Sequence, residues 1–263
     1  MSTPTGTIGT GGSAQSNALT RRMDNSRHKI YTYPDFTRHD PSHIYQWPEI
    51  EERFTRIKSR HRNDAVSFFR HGSTKYNERK LVSGQHDTML SERGRDQARQ
   101  LKATVPPRLD LIICSKLTRS VETMQLSVPP AAQKGVPIFV DSRINEVNLG
   151  ILQGKRRIFL PEFERGDLDF APNNGESYRQ AANRVLSFVV DVFDRLALCG
   201  PSPTVGAVFC HAGVLRIIAT LISKASDPRE VFKTNLGNAE RLDLHACEMN
   251  FPAYWKELTP CVE

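Results

Sequence analysis

The chain has 263 residues and a formal net charge of +7, and 25% of its residues are charged, 38% hydrophobic and 8% aromatic. This composition is ordinary for a globular enzyme, and it excludes a collagen, a coiled coil, a disulfide-rich miniprotein and a wholly disordered chain. No apolar run approaches the ~20 residues that a membrane-spanning helix needs, so we expect a soluble protein.

The excess of positive charge predicts an anionic partner, such as nucleic acid, an acidic membrane surface or a small phosphorylated substrate. Residues 1–62 carry ten Lys or Arg against six Asp or Glu, whereas the remaining residues carry 26 against 23. More than half of the excess therefore lies in under a quarter of the chain. The total charge does not choose between these partners.

The beginning of the chain is predicted to be a tail followed by an arm. Residues 1–20 are mostly small or polar and uncharged, so they bury too little apolar surface to offset their ordering entropy. We predict a disordered tail over residues 1–29. Residues 30–62 mix aromatic residues, prolines and basic residues, with a short helix predicted at 48–57. This arm is expected to contact the domain or a partner, and one domain of residues 63–263 follows.

Predicted strands and helices alternate along the rest of the chain. The pattern predicts strands at 65–69, 109–114, 137–140, 205–210 and 241–244, and helices at 91–103, 118–126, 176–198 and 213–222. The longest helix has an apolar stripe at helical spacing, and Gly200 with Pro201 ends it. This alternation predicts an α/β fold, a three-layer α/β/α sandwich with a mostly parallel central sheet.

The five cysteines are an odd number and show neither a CxxC pair nor a metal-like Cys/His spacing. Cys114 and Cys210 end apolar, strand-like runs, which favours buried and reduced thiols. The first residues also lack the pattern of a secretory signal peptide. We therefore expect a reducing, cytoplasmic location.

Polar residues follow three of the predicted strands at the point where each strand ends. Arg70 and His71 end the first strand, Arg119 lies shortly after the second, and His211 follows the fourth. In an open parallel sheet, ligands bind outside the carboxyl ends of the strands. Two histidines and two arginines are therefore expected to meet at one edge, where they predict a phosphate site that contains a nucleophile.

The chemistry of these residue types suits phosphoryl transfer. Arginine offers a fixed fork of donors for phosphate oxygens, and the helix N-termini after Gly72 and Gly213 would add backbone N–H groups. Neutral imidazole is a nucleophile, so one histidine would take the phosphoryl group while the second, if protonated, would neutralise the transferring oxygens. A carboxylic acid is then needed to protonate the leaving oxygen and to activate water.

Six ordered segments are similar to the motifs of the histidine phosphatase superfamily, also called the phosphoglycerate mutase-like family. Residues 70–77 (RHGSTKYN) resemble its RHGxTxxN signature, and residues 84–94 resemble its GxxDxxLTxxG segment. Residues 115–120 (SKLTRS) resemble its SxLxRA segment, and residues 145–154 its acid loop. GES at 175–177 and HAG at 211–213 complete the series. The resemblance covers about residues 65–245 and implies a phosphoglycerate mutase-like fold.

The resemblance also implies a role for each matched position. His71 would be the phosphorylated nucleophile, Glu146 the proton donor and acceptor, and His211 the third catalytic group. The phosphate contacts that it implies are Arg70, Asn77, Arg119 and the backbone at Ala212 and Gly213. Ala212 stands where the acid-phosphatase branch has Asp, which favours the cytosolic branch. Family members need no metal for this reaction, and no cofactor is expected here.

Further positions beside these motifs are candidates for the rim of a substrate site. They are Ser73, Thr74, Gln85, Lys155, Arg156, Arg157 and Glu176. Three positions depart from the family pattern. Ser73 stands where Glu or Gln is frequent, Gln85 stands where Arg is frequent, and Ser120 stands where Ala is usual. The basic cluster 155–157 would either bind a second anionic group of the substrate or form an exposed turn. Glu176 would lie at the rim or only favour the helix start through the helix dipole.

Only 29 positions separate Glu146 from Gly175, whereas cofactor-dependent phosphoglycerate mutases have a long insertion here. A mutase needs a lid that excludes water while the phosphorylated product turns over. We therefore predict hydrolysis of a small, phosphosugar-like metabolite, with a mutase or a fructose-bisphosphate phosphatase-like activity as the alternative.

A non-catalytic phosphate-binding or scaffold protein is the alternative of another class. It has no evident need for two histidines and Glu146. Nucleic acid binding is disfavoured because no DNA or RNA module is recognisable, no membrane partner is expected, and a homodimer is left open.

Overall fold

A computed structural model describes residues 43–157, 160–223 and 226–256. The predicted tail at 1–29, the first part of the predicted arm at 30–62, and Cys261 lie outside the described residues.

Five strands and five longer helices form the body of the described chain. The strands are β1 Ala65–Arg70, β2 Leu111–Cys114, β3 Ile138–Val140, β4 Val205–Cys210 and β5 Arg241–His245. The longer helices are α1 Trp47–Arg60, α2 Glu92–Leu101, α3 Thr118–Ser127, α4 Tyr178–Cys199 and α5 Ala212–Ile222. Single helical turns lie at Lys75–Glu78, Pro130–Gln133, Pro161–Glu164 and Glu230–Lys233, and 3₁₀ turns at Ser142–Ile144, Gly150–Leu152, Ala246–Glu248 and Ala253–Trp255.

The strands form one sheet in the order β3-β2-β4-β1-β5, in which β5 is antiparallel and the other pairings are parallel. This arrangement confirms the predicted α/β fold with a mostly parallel sheet. Every predicted strand is present, and its ends differ from the prediction by at most two residues.

Helices cover both faces of the sheet because the strand side chains alternate between two apolar layers. Phe68 and Val208 face the layer that contains α1, α4 and α5. Phe69 and Phe209 face the layer with α2 and α3, and their rings stack with centroids 5.0 Å apart. The protein is therefore the predicted three-layer sandwich.

Hydroxyl caps set where two of the helices begin. Ser91 Oγ accepts from the N–H of Gly94 at 3.1 Å, so α2 begins at Glu92. Ser177 forms a capping box with Gln180, so α4 begins at Tyr178, two residues later than the prediction. Helix α4 ends before Gly200, as predicted.

Helix α1 is continuous with the body of the protein. Its residues Ile50, Phe54 and Ile57 are buried in the same apolar core as the inner face of α4. Within the described ranges, no helix is long and apolar enough to cross a membrane. Cys114 and Cys210 are buried and free, as predicted.

Candidate active site

The register of the sheet aligns the ends of three strands at one edge. Arg70 lies opposite Cys210 in the β1–β4 pair, so His71 and His211 both directly follow the aligned ends. The N–H of His71 donates to the carbonyl of Cys210 at 3.1 Å, and the N–H of Ser115 donates to that of Phe209 at 2.9 Å. The two imidazole rings lie with centroids 5.1 Å apart. The structure therefore brings both predicted histidines to the same edge.

His71 presents an unprotonated ring nitrogen. Its Nδ1 lies 2.6 Å from the carbonyl oxygen of Gly72, which accepts a hydrogen bond from the N–H at that nitrogen. Nε2 is then an acceptor, and Nε of Arg119 donates to it at 3.2 Å. Burial lowers the pKa of His71 well below its ordinary value, and the positive charges of Arg119 and Arg70 lower it further. The imidazole is therefore neutral, with its lone pair on Nε2.

Arg119 is fully buried and fixed at all three positions of its guanidinium group. Besides the contact to His71, it donates to the carbonyl of Gly84 at 2.7 Å and to that of His86 at 2.8 Å. These bonds hold a positive charge beside Nε2 of His71. An anion that approaches this nitrogen meets that charge first.

Arg70 brings a second buried guanidinium to the site. One terminal nitrogen donates to the carbonyl of Leu236, whereas Nε is buried without a hydrogen-bond partner in the described structure. Burial lowers the pKa of Arg70 to about 10, with nearby Glu146 opposing and Arg157 and Arg216 adding to the decrease. Arg70 is still protonated at neutral pH.

His211 caps the start of α5 and is fully buried. Its Nε2 lies 2.6 Å from the hydroxyl of Ser115, a residue to which the motif resemblance gives no role. In the described structure its Nδ1 is buried without a partner. Burial lowers the pKa of His211 well below its ordinary value, and the charge of Arg119 is the next cause. The free site therefore offers two buried polar atoms to an anion, Nδ1 of His211 and Nε of Arg70.

Glu146 is held at the same edge by two backbone donors. Its Oε1 accepts from the N–H of Gly213 and from that of Val147, both at 2.9 Å. A Cβ at position 213 would lie 2.5 Å from Oε1 and 2.6 Å from Cγ2 of Val147, so only glycine permits this approach. The family resemblance implies a phosphate contact for the N–H of Gly213. In the structure it holds Glu146, one residue after Ala212 begins α5.

Three side chains support the loop that carries Glu146. Nε2 of Gln85 donates to the carbonyl of Glu146 at 3.0 Å. Arg184 donates to the same carbonyl at 3.2 Å and is paired with Glu176 at 2.6 Å. Glu176 also accepts from the N–H of Asn148 at 2.8 Å. Gln85 and Glu176, both predicted at the rim, therefore hold this loop.

Residues 70–77 form a tightly packed turn. Asn77 forms a capping box with Thr74, and its Oδ1 also accepts from Asn238 at 3.3 Å. Because this oxygen is engaged, the amide nitrogen of Asn77 is the group that can face an anion. Thr74 is fully buried and Ser73 is 5% exposed. Both side chains are buried in the turn, as His71 and Arg119 are, and their assignment to the substrate site stays a prediction.

Comparison with known proteins identifies the family. The model of the histidine phosphatase superfamily, branch 1, matches residues 66–250. The chain belongs to the histidine phosphatase superfamily. This confirms the family that the six motifs indicated, and the fold and enzyme class predicted from it.

Two curated relatives show the range of activities in this superfamily. The chain is 34% identical to a glucosyl-3-phosphoglycerate phosphatase of Mycolicibacterium vanbaalenii over 128 residues, which are 46% of this chain and 56% of that relative. It is 29% identical to a 2,3-bisphosphoglycerate-dependent phosphoglycerate mutase of Xanthobacter autotrophicus over 178 residues, which are 64% of this chain and 84% of the relative. The first alignment thus spans just over half of its relative's length.

Solved structures of the superfamily share the fold. A protein described as mycobacterial hydrolase 1 superposes with a TM-score of 0.60 at 26% identity, covering 68% of this chain and 90% of that one. A mycobacterial glucosyl-3-phosphoglycerate phosphatase solved with VO3 gives a TM-score of 0.58 at 26% identity, covering 70% of this chain and 94% of that one.

In this histidine phosphatase, the basic cluster 155–157 lies on a short ribbon. The N–H of Val82 donates to the carbonyl of Lys155, and the N–H of Arg157 donates to that of Lys80, both at 2.9 Å. Arg156 pairs with Leu81 in the same antiparallel bridge. Both side chains are exposed, and the alternation of side chains along extended backbone leads us to expect them on opposite sides of the ribbon. Arg157 is the member whose charge acts on Arg70.

The chemistry of the site rests on arginine and imidazole. Within the described residues, no group of three or more His, Cys, Asp or Glu side chains is arranged to hold a metal ion. Sequence reasoning missed three supporting residues, Ser115, Arg184 and Asn238. Arg184 left one signal in the sequence, since it is a charged residue between the apolar Ala182 and Val185 on the long helix.

Proposed function

We propose that this protein is a metal-independent phosphomonoester hydrolase that forms a phosphohistidine at His71. One observation carries the proposal. Nε2 of His71 is a neutral acceptor beside the fixed guanidinium of Arg119. At the same edge of the sheet, Nε of Arg70 and Nδ1 of His211 are buried without a hydrogen-bond partner in the described structure. This arrangement combines a nucleophile with donors for the oxygens of a phosphoryl group.

In the first step, Nε2 of His71 attacks phosphorus and the ester P–O bond breaks. The guanidinium groups of Arg70 and Arg119 and the ring N–H of His211 hold the transferring oxygens. The leaving oxygen takes a proton from the carboxylic acid of Glu146, so that an alcohol departs instead of an alkoxide. The product is phosphohistidine, and Glu146 is then a carboxylate.

In the second step, water replaces the alcohol. The carboxylate of Glu146 removes a proton from water as its oxygen attacks phosphorus, and the bond from phosphorus to Nε2 breaks. Inorganic phosphate leaves, His71 is regenerated, and Glu146 is again protonated. The hydrogen bonds from Gly213 and Val147 keep the carboxyl group at the position that both steps require.

The connection after the acid loop supports hydrolysis over mutase activity. Its described part is anchored in aromatic contacts, because Phe163 stacks on Phe232 at 4.9 Å and meets the edge of Tyr178 at 5.6 Å. Leu168 of the same segment is fully buried in the main core. A short, anchored connection is poorly suited to close over the phosphorylated site and exclude water.

We propose a small phosphorylated sugar or sugar acid with a second negative group as the substrate class. The charge of Arg157 contributes to the lowered pKa of Arg70, so Arg157 is near enough for its field to act on the phosphate site. The relative from Mycolicibacterium vanbaalenii is described as a glucosyl-3-phosphoglycerate phosphatase, and its name fits this class. The mutase alternative is supported by the similarity to the relative from Xanthobacter autotrophicus, which is described as a phosphoglycerate mutase.

We also propose that the enzyme works in the cytoplasm. The support is that Cys114, Cys199, Cys210 and Cys247 are all free thiols. Free thiols are expected in a reducing compartment.

A screen of phosphomonoesters with wild-type protein and His71→Ala tests the reaction. We expect phosphate release from wild type, at least ~10³-fold less from the variant, and an acid-labile phosphoprotein after rapid quenching of wild type only. Hydrolysis that survives His71→Ala would overturn the phosphohistidine mechanism. Transfer of the phosphoryl group to a second metabolite faster than to water would favour the mutase.

The substrate class is tested with a matched pair of variants on the ribbon. Arg157→Ala should raise KM about 10-fold for a sugar phosphate that carries a second negative group, and less than about twofold for a sugar monophosphate without one. Arg156→Ala is the control because it removes the neighbouring exposed arginine of the same bridge, and it should change neither KM. Equal effects of Arg157→Ala on both substrates would contradict a second anion site.

A further inference from the structure

Tyr45 fastens the chain before the family domain to one face of α4. It is 2% exposed, and it precedes the residues 66–250 that match the superfamily. Its hydroxyl donates to Oδ1 of Asp191 at 2.7 Å, and its N–H donates to Ser187 Oγ at 2.9 Å. Its carbonyl accepts from Asn183 at 3.1 Å. The three partners lie one helical turn apart, so Tyr45 is fixed along the helix.

Asp191 passes this contact to a buried arginine. Its other oxygen accepts from Arg143 at 2.6 Å, and Arg143 also pairs with Asp141 at 2.8 Å. The three charged side chains are each 2–3% exposed. Two carboxylates share one guanidinium, so the neutral hydroxyl of Tyr45 is what satisfies the remaining oxygen of Asp191. Without that donor, Asp191 would keep a buried and unsatisfied oxygen atom.

Arg143 lies three residues before Glu146, in the 3₁₀ turn Ser142–Ile144. The backbone that joins them is clamped by Arg184, which donates to the carbonyl of Arg143 at 2.5 Å and to that of Asn145 at 2.9 Å. Arg184 also donates to the carbonyl of Glu146 at 3.2 Å. A continuous set of buried polar contacts therefore runs from Tyr45 to the backbone of Glu146.

We propose that Tyr45 is a positioning residue for the proton transfer by Glu146, so that the segment before the family domain completes the active site. The inference rests on the proposed function, because it assigns Tyr45 an effect on the step in which Glu146 protonates the leaving oxygen. The hydroxyl fixes Asp191, Asp191 fixes Arg143, and Arg143 fixes where the acid loop begins. The orientation of the Glu146 carboxyl group depends on that start.

The leaving group separates this role from a structural one. p-Nitrophenolate leaves readily without a proton, whereas the alkoxide of a sugar requires one. The ratio kcat/KM includes only the steps up to formation of phosphohistidine, so it reports the acid step and not the later attack by water. A misplaced acid therefore lowers kcat/KM for a sugar phosphate and leaves that for p-nitrophenyl phosphate almost unchanged.

The experiment measures kcat/KM of Tyr45→Phe on p-nitrophenyl phosphate and on the sugar phosphate that the screen finds to be hydrolysed fastest. We expect a loss of about 10-fold on the sugar phosphate and of less than about twofold on p-nitrophenyl phosphate, a part of the ~10²- to 10⁴-fold that a general acid contributes. Asp191→Asn interrupts the same set of contacts and should give the same selective loss. If Tyr45→Phe does not fold, Asp191→Asn alone tests the inference.

The control is Thr220→Val, which also removes one buried hydroxyl, the acceptor of a 3.0 Å hydrogen bond from Trp255. It should lower the melting temperature without separating the two substrates. Equal losses on both substrates, or no loss, in Tyr45→Phe and Asp191→Asn overturn the inference. Glu146→Gln distinguishes the two proposals. If it does not separate the substrates, the role of Glu146 and the inference both fail, and if it does while Tyr45→Phe and Asp191→Asn do not, only the inference fails.

Discussion

Nε of Arg119 donates a hydrogen bond of 3.2 Å to Nε2 of His71, the nitrogen with the free lone pair. The bond is possible because the ring proton lies on Nδ1, which donates a hydrogen bond to the carbonyl of Gly72. A buried positive charge thus marks the atom that the proposed mechanism uses as the nucleophile. A phosphoryl group that reaches Nε2 exchanges this contact for one between Arg119 and its own oxygens.

Arg119→Lys tests this relationship. Lysine keeps the charge, but its single nitrogen cannot hold the carbonyls of Gly84 and His86 and also face His71. We expect kcat/KM to fall about 10²- to 10³-fold on every phosphomonoester, the size of effect seen when one preorganised donor is removed. Steady-state kinetics on an activated and an unactivated ester measure it.

The matched control is Arg99→Lys on α2, where the arginine is half exposed and pairs with Asp96 at 2.6 Å. An exposed pair of this kind contributes little to stability, so activity and stability should stay close to those of wild type. If Arg119→Lys retained wild-type activity, the charge alone would suffice and the fixed geometry of Arg119 would have no catalytic importance.

The position of the site could be predicted from the sequence because strand ends are local features. His71 and His211 directly follow the ends of two strands, and parallel pairing brings such positions to one edge without any further information. The burial of Ser73 and Thr74 could not be predicted in this way. It depends on how closely α2 approaches the turn, which is a tertiary property.

The two histidines predict a decrease in stability at low pH. Burial lowers the pKa of His71 and of His211 well below their ordinary values. The unfolded chain binds protons at these residues below about pH 6.5, whereas the folded chain does not. The free energy of unfolding should therefore decrease as the pH falls below about 6.5, by at most ~1.4 kcal/mol per pH unit for each histidine.

Urea unfolding of wild type and His211→Asn at several pH values between 5 and 8 measures this effect. Carboxyl groups that titrate in the same range affect both proteins alike, so the difference between the two slopes isolates His211. We expect the variant to lose less stability on acidification. Vanadate, a phosphate-like anion, should also oppose the decrease, since a bound anion raises the pKa of His211. Identical slopes would argue against a neutral His211 in the free site.

Gly213→Ala is predicted to disable proton transfer. The new Cβ would lie 2.5 Å from Oε1 of Glu146, so the carboxyl group must move away from its two backbone donors. We expect kcat/KM on a sugar phosphate to fall about 10²-fold, within the range that general acid catalysis contributes. The backbone conformation at position 213 is ordinary helix, so the side chain itself is the cause.

A double-mutant cycle with Glu146→Gln separates this effect from general damage. If Gly213→Ala acts through Glu146, the double variant should be little worse than Glu146→Gln alone. Losses that multiply would mean that the substitution harms α5 or the phosphate pocket independently.

The supporting residues could not be predicted from the sequence for a different reason. Arg184 binds the carbonyl of Glu146, which lies 38 positions away in the chain. Tyr45 binds the carboxylate of Asp191, which lies 146 positions away. Periodicity and motif spacing describe single elements, so they carry no information on such pairs. The apolar stripe of α4 predicted the position of the helix correctly. It carried no information on which groups the polar residues beside the stripe would contact.

Gly94→Ala is predicted to destabilise the fold at the turn that carries His71. In most helices, replacing glycine by alanine adds about 1 kcal/mol of stability. Here the new Cβ would lie 2.8 Å from the backbone nitrogen and carbonyl carbon of Ser73, and backbone atoms cannot give way as side chains do. We therefore expect a loss of about 2 kcal/mol in the free energy of unfolding.

Gln100→Ala, an exposed change on the same helix, should stay within about 0.5 kcal/mol of wild type. Both values come from urea unfolding at pH 7, and a Gly94→Ala variant as stable as wild type would show that α2 can separate from the His71 turn without cost.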